Sequence, residues 1–260
     1  MVQPLLETKA VVKRFGGLVA VNGIDFTVDE GVVYSIIGPN GAGKSTFLNM
    51  ISGMLRLDLG SVFFNGERIS GLRAHQIVRR GIGRTFQVLR LFGAMSVRDN
   101  VALGYYPKMK STFWNDVLFD RAARHDLERA RVSAERSLRF VGLENCCDQT
   151  VSELPIGQHR LVDLAKALAG EPKLLLLDEP FSGLTPGEAR NLVEVFKKIK
   201  ALNIAMVVVE HRVGIVFEIS DRVTAISFGK KIAEGPPAAV RADANVIAAY
   251  LGKAHGHAVH

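Results

Sequence analysis

The nine residues from Gly38 to Thr46 restrict the possible fold of this chain more than any other segment. They run Gly-Pro-Asn-Gly-Ala-Gly-Lys-Ser-Thr and match the pattern G-x-x-x-x-G-K-[S/T] at every fixed position. An apolar run over residues 32–37 precedes them, and an apolar helix start over residues 47–51 follows. A glycine-rich loop between a strand and a helix presents backbone N–H groups to phosphate, and the helix N-terminus adds positive potential. The segment therefore predicts a nucleotide-phosphate site.

Individual residues of this loop have expected roles. Lys44 can reach the β- and γ-phosphates, and the Ser45 hydroxyl can ligate Mg²⁺. The nucleotide-binding residues expected from the motif are Gly38, Pro39, Asn40, Gly41, Ala42, Gly43, Lys44, Ser45 and Thr46.

A second segment that carries chemistry is Lys-Leu-Leu-Leu-Leu-Asp-Glu-Pro, residues 173–180. Its apolar run predicts a buried strand that brings Asp178 and Glu179 to its carboxyl end, where α/β proteins bind ligands. Asp178 is expected in the magnesium shell, and Glu179 is expected to orient or deprotonate the attacking water. Such a segment alone is more often a surface turn. In this order after the phosphate loop, it indicates nucleoside triphosphate hydrolysis.

The first half of the chain predicts short strands followed by a helical part. Residues 5–12 and 18–28 are typical of an N-terminal β region with glycine-containing turns. From residue 116 to residue 141 the pattern predicts an amphipathic helix, and helices dominate as far as residue 169. The apolar face of that helix is predicted to consist of Leu127, Ala130, Ala134, Leu138 and Val141.

An α/β rhythm returns after the helical part. Strands are expected at 174–177, 204–209 and 223–227, separated by helices at 188–201 and 213–219. Strands separated by helices of this length favour parallel pairing with right-handed crossovers. We therefore expect one α/β domain over residues 1–252, a helical subdomain inserted at about 88–169, and a flexible tail at 253–260.

Composition narrows the class of protein. The 260 residues are 48% hydrophobic and 23% charged, which excludes low-complexity disorder. The apolar runs are far shorter than the roughly 20 residues of a membrane-spanning helix, and no secretory signal is expected. Cys146 and Cys147 are adjacent and cannot form a disulfide that joins distant parts of the fold, which favours a location in the reducing cytosol. The formal net charge of +7 is compatible with a nucleic acid, an anionic lipid or a nucleotide and does not choose among them.

Three further segments complete a recognisable order. Gln87 ends Arg-Thr-Phe-Gln, Leu-Pro-Ile-Gly-Gln at 154–158 opens an Arg- and Leu-rich helix, and His211 ends Val-Val-Val-Glu-His. With the phosphate loop and the Asp-Glu strand, this order resembles the ATPase subunits of ABC transporters from about residue 5 to residue 252. The resemblance implies a P-loop NTPase core with an N-terminal antiparallel β region and an inserted helical subdomain. It also implies hydrolysis of ATP with Mg²⁺.

The resemblance assigns roles to particular residues. Phe15 matches the aromatic residue that stacks on adenine, although a core Phe is the alternative. Gln87 would join Mg²⁺ and the attacking water to the helical subdomain, and His211 would contact the γ-phosphate. The implied catalytic residues are Lys44, Gln87, Glu179 and His211, and the implied metal ligands are Ser45, Gln87 and Asp178. The implied signature, which contacts ATP held by a second subunit, is Leu154, Pro155, Ile156, Gly157 and Gln158.

Two segments depart from the pattern of that family. The signature usually runs Leu-Ser-Gly-Gly-Gln, whereas Pro155 and Ile156 occupy its second and third positions here. Proline offers a phosphate neither a hydroxyl nor an N–H group. The loop after Glu179 usually ends in Asp but ends here in Thr185, which forms a predicted capping box with Glu188.

Three stretches narrow the resemblance to the LivG-type ATPases of branched-chain amino-acid importers: residues 14–22, 84–92 and 246–252. This implies a peripheral ATPase at the cytoplasmic face of the inner membrane that powers uptake of branched-chain or other hydrophobic amino acids or related small solutes. The implied partners are a second, different ATPase subunit, transmembrane permeases docked near residues 88–92 and, indirectly, a periplasmic solute-binding protein. No nucleic-acid partner is expected.

Two alternatives to an importer remain open from the sequence. The ATPase of a lipopolysaccharide-type exporter has the same chemistry and a different membrane partner. A soluble ABC ATPase that acts on nucleic acid or ribosomes is less consistent with 260 residues that contain no sustained heptads.

Overall fold

The computed structural model describes residues 3–109 and 121–251 of the chain. The strands of this part are β1 (Leu6–Phe15), β2 (Leu18–Val28), β3 (Val33–Ile37), β4 (Leu59–Phe64), β5 (Glu67–Arg68), β6 (Ile82–Arg84), β7 (Leu174–Asp178), β8 (Ala205–Val209), β9 (Arg222–Ser227) and β10 (Lys230–Gly235). The α-helices are α1 (Lys44–Ile51), α2 (Ala74–Arg79), α3 (Val97–Ala102), α4 (Arg121–Val141), α5 (Ile156–Ala169), α6 (Pro186–Ala201), α7 (Val213–Ile219), α8 (Pro237–Ala242) and α9 (Ala244–Leu251). Short 3₁₀ helices occur at Leu103–Lys108, Glu144–Cys146 and Val151–Glu153.

The N-terminal strands form an antiparallel sheet in the order β2-β1-β4-β5. Leu6 of β1 lies opposite Val28 on one side and Phe64 on the other, and all three side chains are buried. Polar residues such as Lys9 point the other way, as the two-residue period of a half-buried strand requires. This confirms the antiparallel region expected from the sequence.

The larger sheet has the order β10-β9-β3-β8-β7-β6, and every neighbouring pair is parallel except β10 with β9. Strand β3 lies between β8 and β9, so both of its neighbours come from the C-terminal part of the chain. The carboxyl ends of parallel strands lie at one edge of a sheet. The loops that follow β3, β6, β7 and β8 therefore meet at that edge.

Both faces of this sheet are covered. Leu175 and Leu177 of β7 pack with the helices α5 and α6, whereas Leu174 and Leu176 pack with α1 and the antiparallel sheet. All residues of β7 are buried, which is why the sequence shows an unbroken apolar run instead of an alternating one. The rigid layer formed in this way fixes the positions of Asp178 and Glu179 at its end.

The α/β fold class is confirmed, and most expected elements are present within two residues of their predicted ends. The face predicted for the long helix is correct from Ala130 onward and wrong at Leu127, whose side chain is 55% exposed. Leu127 borders an apolar groove beside Leu103 and Tyr106 that no described segment fills. The predicted start of this helix at residues 116–120 and the tail at 253–260 lie outside the described residues.

Strand β6 ends at Arg84, so Gln87 belongs to the loop that follows it, and β10 was not predicted because its lysines hide the alternation. Cys146 and Cys147 are free cysteines, each partly buried. Within the two described ranges, none of the helices combines the length and apolarity needed to cross a bilayer.

Candidate functional site

The phosphate loop joins β3 to α1, and its shape depends on glycine. The φ angles of Gly38, Gly41 and Gly43 are 152°, 79° and 101°, in the region that favours glycine. A Cβ atom on Gly38 would lie 2.0 Å from the carbonyl oxygen of Ile226, and one on Gly43 would lie 2.2 Å from that of Ala20. Only glycine fits at these two positions, so the motif fixes the backbone as well as its chemistry.

Lys44 and Ser45 are the first residues of α1. The Nζ of Lys44 donates hydrogen bonds to the carbonyl oxygens of Gly38 at 2.8 Å and Pro39 at 3.0 Å, so the side chain folds back over the loop. The Ser45 hydroxyl donates to Oδ1 of Asp178 at 3.2 Å. The structure therefore brings together the oxygen atoms of two motifs that are more than 130 residues apart in sequence.

Asp178 is held from its other side by Arg84, a residue that none of the motifs assigns to the site. The guanidinium Nη2 lies 3.5 Å from Oδ2 of Asp178, and both side chains are buried. Nη2 also donates to Oδ1 of Asn49 at 2.7 Å, and Nη1 donates to the hydroxyl of Ser52. Burial raises the pKa of Asp178, and the positive charge of Arg84 opposes that rise. Arg84 thus offsets part of the cost of keeping a carboxylate in the interior.

Glu179 lies at the centre of the polar groups at this edge. Its backbone φ of 50° is unusual for a residue other than glycine, and its N–H group donates to the carbonyl oxygen of Val209 at 2.9 Å. The Nε2 of Gln87 donates to Oε2 of Glu179 at 3.0 Å. The Nδ1 of His211 lies 4.0 Å from Oε1 of Glu179. Two side chains predicted from separate motifs, Gln87 and His211, therefore lie beside the carboxylate of a third, Glu179.

One cavity of about 660 Å³ contains most of the predicted nucleotide-binding and catalytic residues. Phe15 forms part of its wall and is 48% exposed, so the alternative of a core Phe is wrong. Predicted residues that line the cavity are Phe15, Asn40, Gly41, Ala42, Gly43, Lys44, Ser45, Thr46, Gln87, Glu179 and His211. Leu18, Val19, Ala20, Phe228 and Gly229 also line it and were missed. Gly38, Pro39 and Asp178 are adjacent through the contacts above but do not line the cavity.

The signature segment is at the N-terminus of α5 and does not line this cavity. Leu154 is buried, Pro155 is exposed, and the side chain of Ile156 is 78% exposed. A Cβ atom on Gly157 would lie 1.7 Å from Oε1 of Glu188, so a larger residue there would displace the Glu188 side chain. Pro155 and Ile156 therefore face solvent, and the first turn of α5 lies outside the cavity that contains the chain's own phosphate loop.

The capping box predicted after Glu179 is confirmed. The N–H group of Thr185 donates to Oε2 of Glu188 at 2.8 Å, and that of Glu188 donates to Oγ1 of Thr185 at 3.4 Å, with Pro186 at the first helical position. The hydrogen bonds that the N–H group and the hydroxyl of Thr185 donate to the carboxylate lower the pKa of Glu188.

Arg160 of α5 connects two loops of the site and was also missed. Its Nη1 donates to the carbonyl oxygens of Gln87 at 3.1 Å and Phe86 at 3.3 Å, and its Nη2 donates to that of Ser182 at 3.4 Å. Nothing in the helical pattern marked this arginine, because its partners are backbone atoms of other segments. Arg84 did carry a signal, since a charged residue at the end of a buried strand needs a partner.

This edge of the sheet defines a P-loop ATPase: a phosphate loop, a buried aspartate beside its serine, and a glutamate held next to them. A family model described as "ABC transporter" matches residues 21–182, and the chain belongs to this family. A second model, described as "Branched-chain amino acid ATP-binding cassette transporter", matches residues 230–256. The chain is therefore an ATP-binding subunit with ATPase activity.

Curated relatives match over nearly the whole chain. BraF of Pseudomonas aeruginosa, a high-affinity branched-chain amino acid transport ATP-binding protein, is 36% identical over 98% of this chain and 100% of its own length. The proteins named LivG of Salmonella typhimurium and Escherichia coli are 36% and 35% identical, each over 98% of this chain and 100% of their own length.

Solved structures agree in fold. A nucleotide-free ATP-binding cassette from an ABC transporter has a TM-score of 0.84 and 32% identity, over 95% of this chain and 99% of that one. The ADP conformation of the cassette MJ1267 gives the same TM-score and identity, over 96% of this chain and 100% of that one.

Proposed function

We propose that this protein is the ATP-hydrolysing subunit of an importer for branched-chain or other hydrophobic amino acids or related small solutes. The observation that carries the proposal is the meeting of the phosphate loop, Gln87, Glu179 and His211 in one cavity. The solute class comes from the BraF and LivG relatives and from the match at residues 230–256. An ATPase subunit of this kind does not touch the solute, so no residue described above selects it.

Several side chains in the cavity have a proposed part in nucleotide binding or hydrolysis. Lys44 binds the β- and γ-phosphates, and Glu179 accepts the proton of the attacking water. His211 contacts the γ-phosphate and stabilises the charge that develops there. Phe15 stacks on the adenine. The hydrogen bond from Gln87 to Oε2 supports this assignment for Glu179, because it orients the carboxylate in the cavity.

Ser45, Asp178 and Gln87 would hold Mg²⁺. Hydroxyl, carboxylate and amide oxygens are donors that suit this ion, and the 3.2 Å contact between Ser45 and Asp178 supports a shared site. When bound, the ion would neutralise part of the negative charge of the phosphates. Arg84 holds the second carboxylate oxygen of Asp178, so the protein itself orients the ligand.

A second ATPase subunit is part of the proposal. The N-terminus of α5, with Pro155 and Ile156 exposed, is free of this chain's own cavity and would contact ATP held by the partner. The departure from the usual signature at these two positions favours a partner that is a different chain. ATP binding would close the pair and hydrolysis would reopen it.

Permease subunits are the proposed membrane partner, with docking around residues 88–92. Val88 and Phe92 are 79% and 56% exposed, and the exposed Arg90 lies between them. This placement would make the protein peripheral at the cytoplasmic face of the inner membrane, with a periplasmic solute-binding protein as an indirect partner. We also propose residues 1–252 as one cassette with a helical subdomain at about 88–169, where α3, α4 and α5 pack on one another.

The test is transport by the reconstituted complex. The chain is purified with the membrane proteins that it binds and placed in liposomes with a solute-binding protein, and ATP-dependent uptake of labelled leucine, phenylalanine and an unrelated sugar is measured. We expect uptake of the amino acids only, and its loss with Glu179→Gln.

The control is the same vesicle with ADP in place of ATP. ATP-driven movement in the export direction, or recovery of the chain with ribosomes instead of membrane proteins, would contradict the importer.

A further inference from the structure

Glu210, the residue before His211, is a buried acid that the roles proposed above leave unused. Its side chain is fully buried at the end of β8. Burial of a carboxyl group without partners is costly, so its contacts determine what it does there. Oε1 accepts hydrogen bonds from the backbone N–H groups of His211 at 3.0 Å and Arg212 at 3.2 Å. Oε2 faces the opposite way and accepts one from Phe181 at 3.4 Å.

These contacts join two loops of the site. Phe181 lies two residues after Glu179, whereas His211 and Arg212 follow the neighbouring strand β8. The guanidinium of Arg212 donates to the carbonyl oxygen of Phe181 at 3.1 Å, which closes the connection from the other side. Because both oxygens of Glu210 are acceptors for N–H groups, the loop that carries His211 is fixed to the loop that carries Glu179.

The same carboxylate faces the imidazole ring. Nδ1 of His211 lies 3.3 Å from Oε1 of Glu210 and 4.0 Å from Oε1 of Glu179. The ring is half exposed, so nothing else buries it in a single orientation. A carboxylate that receives the hydrogen of one ring nitrogen sets the tautomer and direction of a histidine, and such contacts tighten when substrate binds.

We propose that Glu210 is a positioning residue for hydrolysis. Its carboxylate holds Nδ1 of His211 and turns Nε2 toward the cavity where the γ-phosphate is transferred. Through its hydrogen bond with Phe181 it also holds the loop of His211 at a fixed position relative to the loop of Glu179. This inference rests on the role proposed for His211.

The first test is Glu210→Gln in the full chain, assembled with its membrane partners. The amide keeps the volume but presents N–H groups on one side, so it cannot accept from both Phe181 and His211. We expect kcat for ATP to fall by about tenfold or more, as the loss of a charge-assisted contact predicts, with ATP affinity of the isolated chain within about twofold. Glu218→Gln, on the exposed side of α7, is the matched control and should keep wild-type kcat.

A double-mutant cycle separates positioning from general stability. If Glu210 acts through His211, Glu210→Gln should lower kcat by less than about twofold in the His211→Ala background. Equal factors in both backgrounds would overturn the proposal. If the glutamine variant does not fold, Glu210→Asp, which keeps the charge on a shorter side chain, is measured in the same cycle.

A spectroscopic readout tests the ring directly. In the full chain with ¹⁵N-labelled histidine, the signals absent from His211→Ala belong to His211. We expect the Nδ1 and Nε2 shifts of that ring to change with Glu210→Gln and to stay constant with Glu218→Gln. Unchanged shifts would overturn the proposal. Wild-type turnover by His211→Ala would contradict the role of His211, while the ring signals would still decide whether Glu210 orients it.

Discussion

The side-chain amide of Gln87 donates a hydrogen bond to Glu179, with Nε2 3.0 Å from Oε2. Gln87 follows β6 and Glu179 follows β7, and these strands pair in parallel with Arg84 opposite Leu176. The pairing brings both side chains to one edge of the sheet. Any movement of the Gln87 loop therefore removes a donor from the carboxylate proposed as the general base, which is a direct physical link between that loop and catalysis.

We expect Glu179→Gln to retain ATP binding and to abolish turnover. The amide keeps the shape and can still contact Gln87, but it cannot accept the proton of the attacking water. The measurement is ATP hydrolysis by the assembled complex together with equilibrium binding of ATP by the isolated chain. Loss of binding with hydrolysis intact is the opposite pattern and would rule out this role for Glu179.

Lys44→Ala is the matched control for that experiment. Its Nζ lies over the phosphate loop, bonded to the carbonyl oxygens of Gly38 and Pro39. Removal of this cation should weaken nucleotide binding itself, by about tenfold or more for a charge-assisted contact with phosphate. The two variants thus separate binding from chemistry.

Arg160→Ala should lower turnover and leave nucleotide affinity nearly unchanged. The guanidinium holds the carbonyl oxygens of Phe86, Gln87 and Ser182, so its loss releases both loops next to Glu179 without touching the phosphate loop. Hydrogen bonds from a charged donor are worth roughly 1.5–3 kcal/mol, which corresponds to about a tenfold or larger fall in kcat if the loops must be ordered for reaction.

The control for Arg160 is Arg139→Ala, an exposed arginine near the end of α4. Its kcat should stay within about twofold of the wild type. A rise in the apparent Kd for ATP with Arg160→Ala, at constant kcat, would contradict the positioning role.

Sequence predicts the parts of this site that contiguous motifs encode, and it does not predict the parts that depend on how distant segments pair. The phosphate loop and the Asp178-Glu179 strand were predictable because each motif is contiguous and its neighbours have an unmistakable apolar pattern. Arg84 and Arg160 were not assigned because their partners depend on strand order: β6 beside β7 is a property of the sheet that no local pattern encodes. The prediction that Leu127 is buried was wrong for a related reason. Helix periodicity identifies the apolar face of a helix, but it does not show how much of that face other segments cover.

Asp163 of α5 gives a pH-dependent prediction for stability. Burial raises the pKa of Asp163 to about 6, although a hydrogen bond from the N–H group of Phe86 and the charges of Lys166 and Arg160 act against the rise. Its ordinary value is 3.8, so the folded state binds the proton more tightly than the unfolded state does. This acid therefore costs stability as pH rises from about 4 to about 6, and the full cost is present above that range.

Asp163→Asn should stabilise the protein by about 2–3 kcal/mol at pH of about 8, and by only about 1 kcal/mol at pH of about 4.5. The measurement is the free energy of unfolding in urea at both pH values. Glu144→Gln, an exposed acid beside the same group of helices, should change it by less than about 0.5 kcal/mol at either pH. A gain for Asp163→Asn that does not vary with pH would contradict the assignment to this carboxyl.

Charge reversal at Arg90 tests the proposed docking around residues 88–92. The guanidinium lies 4.3 Å from the ring centroid of Phe86, and Nζ of Lys166 donates to the backbone oxygen of Arg90, a contact that a new side chain leaves in place. We expect Arg90→Glu to lower coupled transport about tenfold or more while basal ATP hydrolysis survives, because the reversed charge would repel what the arginine attracts at the proposed contact.

Arg56→Glu, an exposed arginine outside residues 88–92, provides the same change of charge away from the proposed contact and should keep transport near the wild-type rate. Transport and basal hydrolysis that fall together in Arg90→Glu would instead assign Arg90 to the fold or to the catalytic site.

The non-standard signature has a physical consequence at its helix terminus. Pro155 precedes α5 and has no N–H group, and Ile156 presents an apolar, exposed side chain where the family has glycine. An ATP site that uses this signature loses a serine hydroxyl and one backbone donor. A hydrogen bond to a charged phosphate is worth roughly 1.5–3 kcal/mol, or about a ten- to hundredfold effect on the step that it serves.

We therefore expect the two ATP sites of a heterodimer to be unequal. The site built on this chain's phosphate loop, Asp178, Glu179 and His211 would use the partner's signature, and we expect it to be fully competent if that signature is standard. The measurement is turnover of the reconstituted complex with the Glu→Gln change placed in one subunit at a time. Glu179→Gln here should abolish turnover nearly completely, whereas the partner's change should cost less. Equal losses from both changes, with single-turnover rates that show two independent sites of equal speed, would contradict the asymmetry.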